Sequence, residues 1–216
     1  MALLYKVQNP LHGVWKMEET SGQLYSMLDH KEDYEEFLTR VSAEKRRQEH
    51  LASRVLLKAL LGEETKVEYR STGAPFLPNN PYQISISHTK DYVAVILDQQ
   101  PTGIDIEYRS DRVVKIRKRF MKPEEEVAID PVHEVEHLLI HWCAKETLFK
   151  IIDQEGVDFQ KHLHVKPFVF AMEGTFTVQE TRTAANQEFV LAYKVMPDYV
   201  MTWMIKNAPV NKFTSA

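Results

Sequence analysis

Residues 50–61 read HLASRVLLKALL, and residues 141–152 read HWCAKETLFKII. Laid over one another, about 91 residues apart, they resemble one another at several positions. His50 falls on His141, Arg54 on Lys145, Leu57 on Leu148, and Leu60-Leu61 on Ile151-Ile152. In the first stretch Leu51, Val55, Leu56, Ala59 and Leu60 recur at helical spacing, with Ser42 available as a cap and Gly62 as a stop. In the second, Leu138, Trp142, Phe149 and Ile152 share a face, flanked by Leu139 and Cys143. A repeated amphipathic helix predicts a duplicated unit.

Strand patterns surround both helices. Short strands are expected at Leu3–Val7 and Val14–Met17, and a short helix from Ser21. After the first long helix, Ile84 and Ile86 alternate with Ser85 and Ser87, and Val93, Val95 and Leu97 alternate with their neighbours. Turns fit at Thr72-Gly73, Pro78–Pro81, His88–Asp91 and Gln99–Gly103, which predicts an antiparallel meander ending in GIDIE, residues 103–107. A basic helical stretch broken at Pro123 precedes the second long helix. Strands are then expected at Val165–Phe170, Thr175–Gln179, Phe189–Tyr193 and Tyr199–Ile205. The fold class is therefore α+β, in two similar lobes, 1–108 and 109–216, each a helix packed on a small antiparallel sheet. Two such lobes would place a site in the cleft between them.

The 216 residues are 44% apolar, enough for a sizeable core, and carry a formal net charge of −4. That balance gives no global attraction to nucleic acid. The single cysteine, Cys143, excludes an internal disulfide and a cysteine-rich metal site. No apolar run approaches a membrane span, and the expected setting is the cytoplasm.

In a strand, Asp105 and Glu107 project to the same side while Ile104 and Ile106 face the core. Paired carboxylates repel one another, and a cation is the simplest compensation. With no sulfur or imidazole beside them, a hard ion such as Mg²⁺ fits better than zinc. On the second helix, Glu146 and Lys150 stand four residues apart, a surface ion pair or the missing carboxylate and cation of a phosphate–metal site. Trp142 reads as core packing, and His88 ends a strand. HEVEH, His133–His137, matches the H-E-x-x-H pattern of zinc peptidases, although Glu136 puts a charge at an inner position. The run Lys115, Arg117, Lys118, Arg119 and Lys122 is a solvated face or a receptor for an acidic partner.

Taken together, ISISHT, GIDIE and WCAKETLFK resemble the 4′-phosphopantetheinyl transferase superfamily, whose hallmark is G-x-D-x-E followed some 40 residues later by W-x-x-K-E. KRRQEHLASRVLLKALLG and STGAPFLPN resemble its first lobe, so the likeness covers roughly residues 42–152. The length is similar to that of the two-lobed class serving many carrier proteins. The resemblance implies a pseudo-dimer of two α+β lobes that binds coenzyme A and Mg²⁺. It further implies transfer of phosphopantetheine to the serine of an apo acyl or peptidyl carrier protein, with release of adenosine 3′,5′-bisphosphate. By position, Asp105, Glu107 and Glu146 would ligate Mg²⁺, and Glu146 would take the serine proton. Lys150 would steady the leaving group, Lys145 would either do likewise or orient its helix, and His88 would meet the coenzyme A phosphates. Arg54, with Arg46 or Arg47, would bind the nucleotide 3′-phosphate.

The chain departs from the family's G-K-P at Gly73-Ala74-Pro75, which removes a phosphate-binding lysine that Arg70 could replace. An acidic carrier protein would dock near Arg117, Arg119, Phe120 and Met121. A monomer is expected, with neither nucleic acid nor membrane as partner. Two other readings stand beside this one: a non-catalytic coenzyme A or carrier-protein binding module, and an H-E-x-x-H zinc peptidase.

Overall fold

Alternation at Val93, Val95 and Leu97 presents a row of branched side chains, and the long helix above supplies the matching ridge of Leu51, Val55, Leu56 and Leu60. The computed structural model, which describes residues 3–207, builds each half of the chain around such a pairing. The chain divides between Ile106 and Glu107.

The first unit contains β1 (Leu3–Gln8), β2 (Leu11–Lys16), α1 (Ser21–Ser26), α2 (Glu32–Arg40) and α3 (Glu44–Leu61). It continues through β3 (Glu68–Tyr69), β4 (Pro75–Phe76), β5 (Gln83–Thr89) and β6 (Tyr92–Asp98). A four-stranded sheet runs β1-β2-β6-β5, with antiparallel pairing throughout. Helix α3 lies close on β2: a Cβ on Gly13 would stand 2.9 Å from the Tyr5 carbonyl and 3.2 Å from Leu60. Thr20 caps α1 in a reciprocal box with Gln23. Helix α3 starts at Glu44 after Ala43, not under a Ser42 cap, and stops at Gly62, whose φ of +85° suits glycine. Helix α2 has no counterpart in the sequence expectations.

The second unit contains α4 (Arg112–Ile116), a 3-10 turn (Arg117–Arg119), α5 (Pro123–Glu126), α6 (Glu134–Ile152) and α7 (Phe159–His162). Strands β8 (Leu163–Val165), β9 (Glu173–Glu180), β10 (Glu188–Val195) and β11 (Tyr199–Asn207) follow. The acidic strand β7 (Ile104–Tyr108) carries the division between the units and forms one edge of the five-stranded sheet β7-β11-β10-β9-β8. Helix α6 is fixed to β11 by a 2.7 Å hydrogen bond between the Thr147 and Thr202 hydroxyls. No described helix is long and apolar enough to cross a membrane.

Two expectations change. The acidic strand does not extend the β5–β6 meander. Instead the Ile104 and Ile106 amides donate to the Ser85 and Ser87 hydroxyls at 3.2 and 3.3 Å. Small side chains on that face of β5 take the place of a backbone ladder. The strand expected over Val165–Phe170 ends at Val165, because Phe168 and Phe170 turn inward onto the histidines of α6 while Val169 is exposed.

Candidate active site

Strand β7 buries Ile104 and Ile106 completely and leaves Asp105 only 4% exposed. A carboxylate this enclosed needs polar company. Ser87 supplies part of it, donating to Asp105 Oδ1 at 2.8 Å while accepting the Ile106 amide. Two residues on, Glu107 Oε1 accepts a 3.0 Å hydrogen bond from the indole N–H of Trp142. The tryptophan of the second motif thus holds a carboxylate of the first. It packs as well, edge-on to Phe120 at 5.2 Å and against Phe159 at 5.6 Å, so core packing is only half of its role.

Helical spacing places Glu146 one turn of about 5.4 Å beyond Trp142 on the same stripe of α6, and Lys150 one turn beyond that. Both are half-buried, at the rim of the helix's packed face. Asp105, Glu107 and Glu146 offer only carboxylate oxygen, which is the donor chemistry of Mg²⁺. Among the described residues no three His, Cys, Asp or Glu side chains converge on one point. Mg²⁺ commonly uses one or two carboxylates and completes its shell with substrate phosphates and water.

Lys145 is 0% exposed. Its ammonium donates to the Phe120 carbonyl, to Glu125 Oε2 at 2.7 Å and to the Phe159 carbonyl at 3.2 Å. Those three bonds use its three protons, so of its two expected roles the surroundings fit the orienting one. Burial pulls its pKa down, and Glu125 opposes that. Glu125 also accepts the Lys122 and Val165 amides at 2.9 Å each, tying α5, α6 and β8 together.

In the first unit, His88 is exposed at the end of β5, with Nδ1 3.7 Å from Glu49. Arg46 is exposed. Arg47 caps the end of α2 by donating to the Leu38 carbonyl at 2.6 Å and to that of Val41, so its fork is already engaged. Arg54 differs from both. It is 5% exposed, donates to Ser53 Oγ at 2.8 Å and to the Tyr69 hydroxyl at 3.1 Å, and forms no carboxylate ion pair among the described residues. It lines a cavity of about 330 Å³ with Tyr34, Phe37, Arg40, His50, Lys66 and Tyr69, and with the acids Asp33 and Glu36.

The docking expectation needs correction at three residues. Phe120 is 0% and Met121 2% exposed; both belong to the core of the second unit. Arg117 is bound by Glu126 and Glu134, whose hydrogen bonds raise its pKa despite partial burial. Lys115, Lys118 and Arg119 remain exposed. Lys118 borders an open groove of about 790 Å³, and Met121, though packed in the core, reaches its wall beside Lys122, Pro123, Glu124 and Gln160.

The H-E-x-x-H residues are occupied otherwise. His133 precedes the helix and stacks on Phe170, Glu134 pairs with Arg117, and Glu136 pairs with Arg109. His137 Nδ1 accepts the Asp130 amide at 3.0 Å. Glu134, the base that a zinc peptidase would need, is held by a guanidinium.

The sequence alone assigns no site role to Ser87, Glu125 or His50. The Ile-Ser alternation signals the first, whereas Glu125 is one of three consecutive glutamates with nothing to distinguish it.

The two motifs, one on a strand and one on a helix, are joined by the hydrogen bond from Trp142 to Glu107. A model of the 4′-phosphopantetheinyl transferase N-terminal domain matches residues 33–98, and one of the 4′-phosphopantetheinyl transferase superfamily matches residues 101–204. The chain belongs to the 4′-phosphopantetheinyl transferase superfamily and has its transferase activity. Among curated relatives it is similar to 4′-phosphopantetheinyl transferase Sfp of Bacillus subtilis (strain 168). The two are 25% identical over 193 residues, covering 79% of this chain and 84% of that one. A second Bacillus subtilis 4′-phosphopantetheinyl transferase is 30% identical over 82 residues, 36% of this chain and 37% of its own.

Proposed function

We propose that the chain takes 4′-phosphopantetheine from coenzyme A and passes it to the serine of an apo acyl or peptidyl carrier protein. The reaction depends on Mg²⁺ and releases adenosine 3′,5′-bisphosphate. The observation that carries this reading is the hydrogen bond from Trp142 to Glu107, which couples the two acidic motifs. Asp105, Glu107 and Glu146 are the proposed Mg²⁺ ligands, and bound Mg²⁺ would neutralise pyrophosphate charge.

Glu146 accepts the serine proton, directly or through a water. The serine oxygen bonds to the β-phosphorus of coenzyme A. The bond from that phosphorus to the bridging oxygen breaks, and its electron pair leaves on adenosine 3′,5′-bisphosphate. Lys150 offsets the charge gathering on the leaving group, and His88 donates to the coenzyme A phosphates. Arg54 receives the nucleotide 3′-phosphate; its buried guanidinium and the adjoining cavity support this. Arg46 is free to assist, while Arg47 and Lys145 are committed to structure.

The carrier protein docks on Lys115, Lys118 and Arg119 beside the groove at Lys118, with Arg117 holding the segment in shape. The chain acts as a monomer in the cytoplasm, where its single buried cysteine stays reduced.

Single-turnover transfer from labelled coenzyme A to several apo carrier proteins tests the reading. Glu146→Gln should lower the transfer rate by about 10²-fold or more while coenzyme A still binds. Tight coenzyme A binding by the unmodified chain without transfer to any carrier would favour the binding module instead.

A further inference from the structure

The cavity beside Arg54 holds a second group that the transfer chemistry does not use. His50 precedes Arg54 by four residues on α3, so the imidazole and the guanidinium share one helix face. Both line the same cavity. The imidazole stacks on Phe37 at 3.8 Å and meets Tyr34 edge-on at 6.3 Å, so aromatic rings cover its other sides. A fixed positive charge beside an enclosed imidazole disfavours its protonation. An anion entering the cavity reverses that balance, because it compensates both groups at once.

Resting on the reading of Arg54 as a phosphate site, we propose that this cavity binds its phosphate together with a proton, which His50 takes up from solvent as the anion enters. Burial first, and Arg54 second, hold the empty-site imidazole down to about 3, so it starts neutral. The other charges facing it are Arg40 and Lys66, which favour the anion, and Asp33 and Glu36, which oppose it. Tyr34 donates to Glu64 at 2.8 Å, which keeps that carboxylate occupied behind the ring. The consequence is affinity for the nucleotide end of the donor that rises as pH falls, with His50 setting the slope.

The probe is sulfate, a dianion that does not itself titrate in the working range, measured by calorimetry against equal ionic strength of chloride. In the unmodified chain its Kd should fall at least about fivefold between pH about 7.5 and about 5.5. The His50 Cε1 proton should titrate in that range only when sulfate is present. His50→Gln should bind sulfate with a flat pH profile. His50→Phe, which keeps the stack on Phe37, should do the same and guards against a folding defect. Arg54→Met should abolish the binding. Sulfate binding that needs Arg54 but has the same pH slope in both His50 variants overturns the proton linkage and leaves the phosphate site standing. Sulfate binding indifferent to Arg54→Met overturns the phosphate site itself, and the linkage with it.

Discussion

His50 and Arg54 on α3, and His141 and Lys145 on α6, stand at matching positions of two repeated helices, yet their surroundings have opposite logic. Each helix buries a cation one turn after an imidazole, and burial holds both imidazoles down to about 3. In the second unit the cation has an internal counter-ion, Glu125, and its three protons are all used. His141 is closed in by Phe168 and donates to the His137 carbonyl at 2.9 Å. In the first unit the cation, among the described residues, donates to two hydroxyls, lies beside the Tyr69 ring and opens on a cavity. A buried charge needs compensation from somewhere. The second unit carries its own, whereas the first leaves room for a ligand to bring it. The same sequence position is thus closed by internal partners in one half and open to a cavity in the other.

The largest effect should come from removing the internal counter-ion. Glu125→Gln strands a buried ammonium and should cost about 3–5 kcal/mol in urea unfolding. Arg54→Met removes a buried charge that had no ionic partner, and should change stability by no more than about 1 kcal/mol. Similar losses in the two variants would erase the distinction.

Acid should act on both units. A histidine whose folded pKa lies below its ordinary 6.5 stabilises fully above that pH and loses its contribution as pH falls toward the folded value. For His141, at about 3 in the fold, that is about 1.4 kcal/mol per pH unit, or about 2 kcal/mol between pH 6.5 and 5. His141→Phe should flatten the decline by this amount whether or not sulfate is present. Protection by sulfate should instead depend on His50. Urea midpoints at the two pH values, with and without sulfate, check both statements; a His141→Phe profile as steep as the parent's would count against the first.

The long helices, the β5–β6 hairpin and the last three strands were readable because periodicity is local and each carries several turns or alternations. The family was readable because its two motifs restrict residue types at fixed spacing. What escaped depends on distant partners. Helix α2 carries Tyr34, Phe37 and Leu38 at helical spacing, but it is only nine residues long and no side-chain cap marks its start. Phe120 and Met121 beside a basic run read as a docking patch, and only tertiary packing shows them in the core. Lys145 and Arg54 look alike in sequence; the presence or absence of Glu125 behind them is a long-range fact.

The smallest expected effect concerns the altered turn at Gly73-Ala74-Pro75. Gly73 holds a φ of +88°, and the Arg70 amide donates to the Ala74 carbonyl at 2.9 Å, so Arg70 and Ala74 face each other across the hairpin. Cross-strand partners share a face, and the Arg70 guanidinium leans toward the Phe76 ring at 5.9 Å on that face. Arg70 is therefore on the side from which a lysine at position 74 would project. Ala74→Lys adds a second cation to a place that already has one. It should lower the KM for coenzyme A by about threefold and leave kcat alone, since an exposed charge pair is worth only a few tenths to about 1 kcal/mol. Arg70→Ala should raise the same KM by a similar factor. If neither substitution moves it, this turn takes no part in donor binding, and the imbalance of charge in the first unit is confined to the cavity at Arg54.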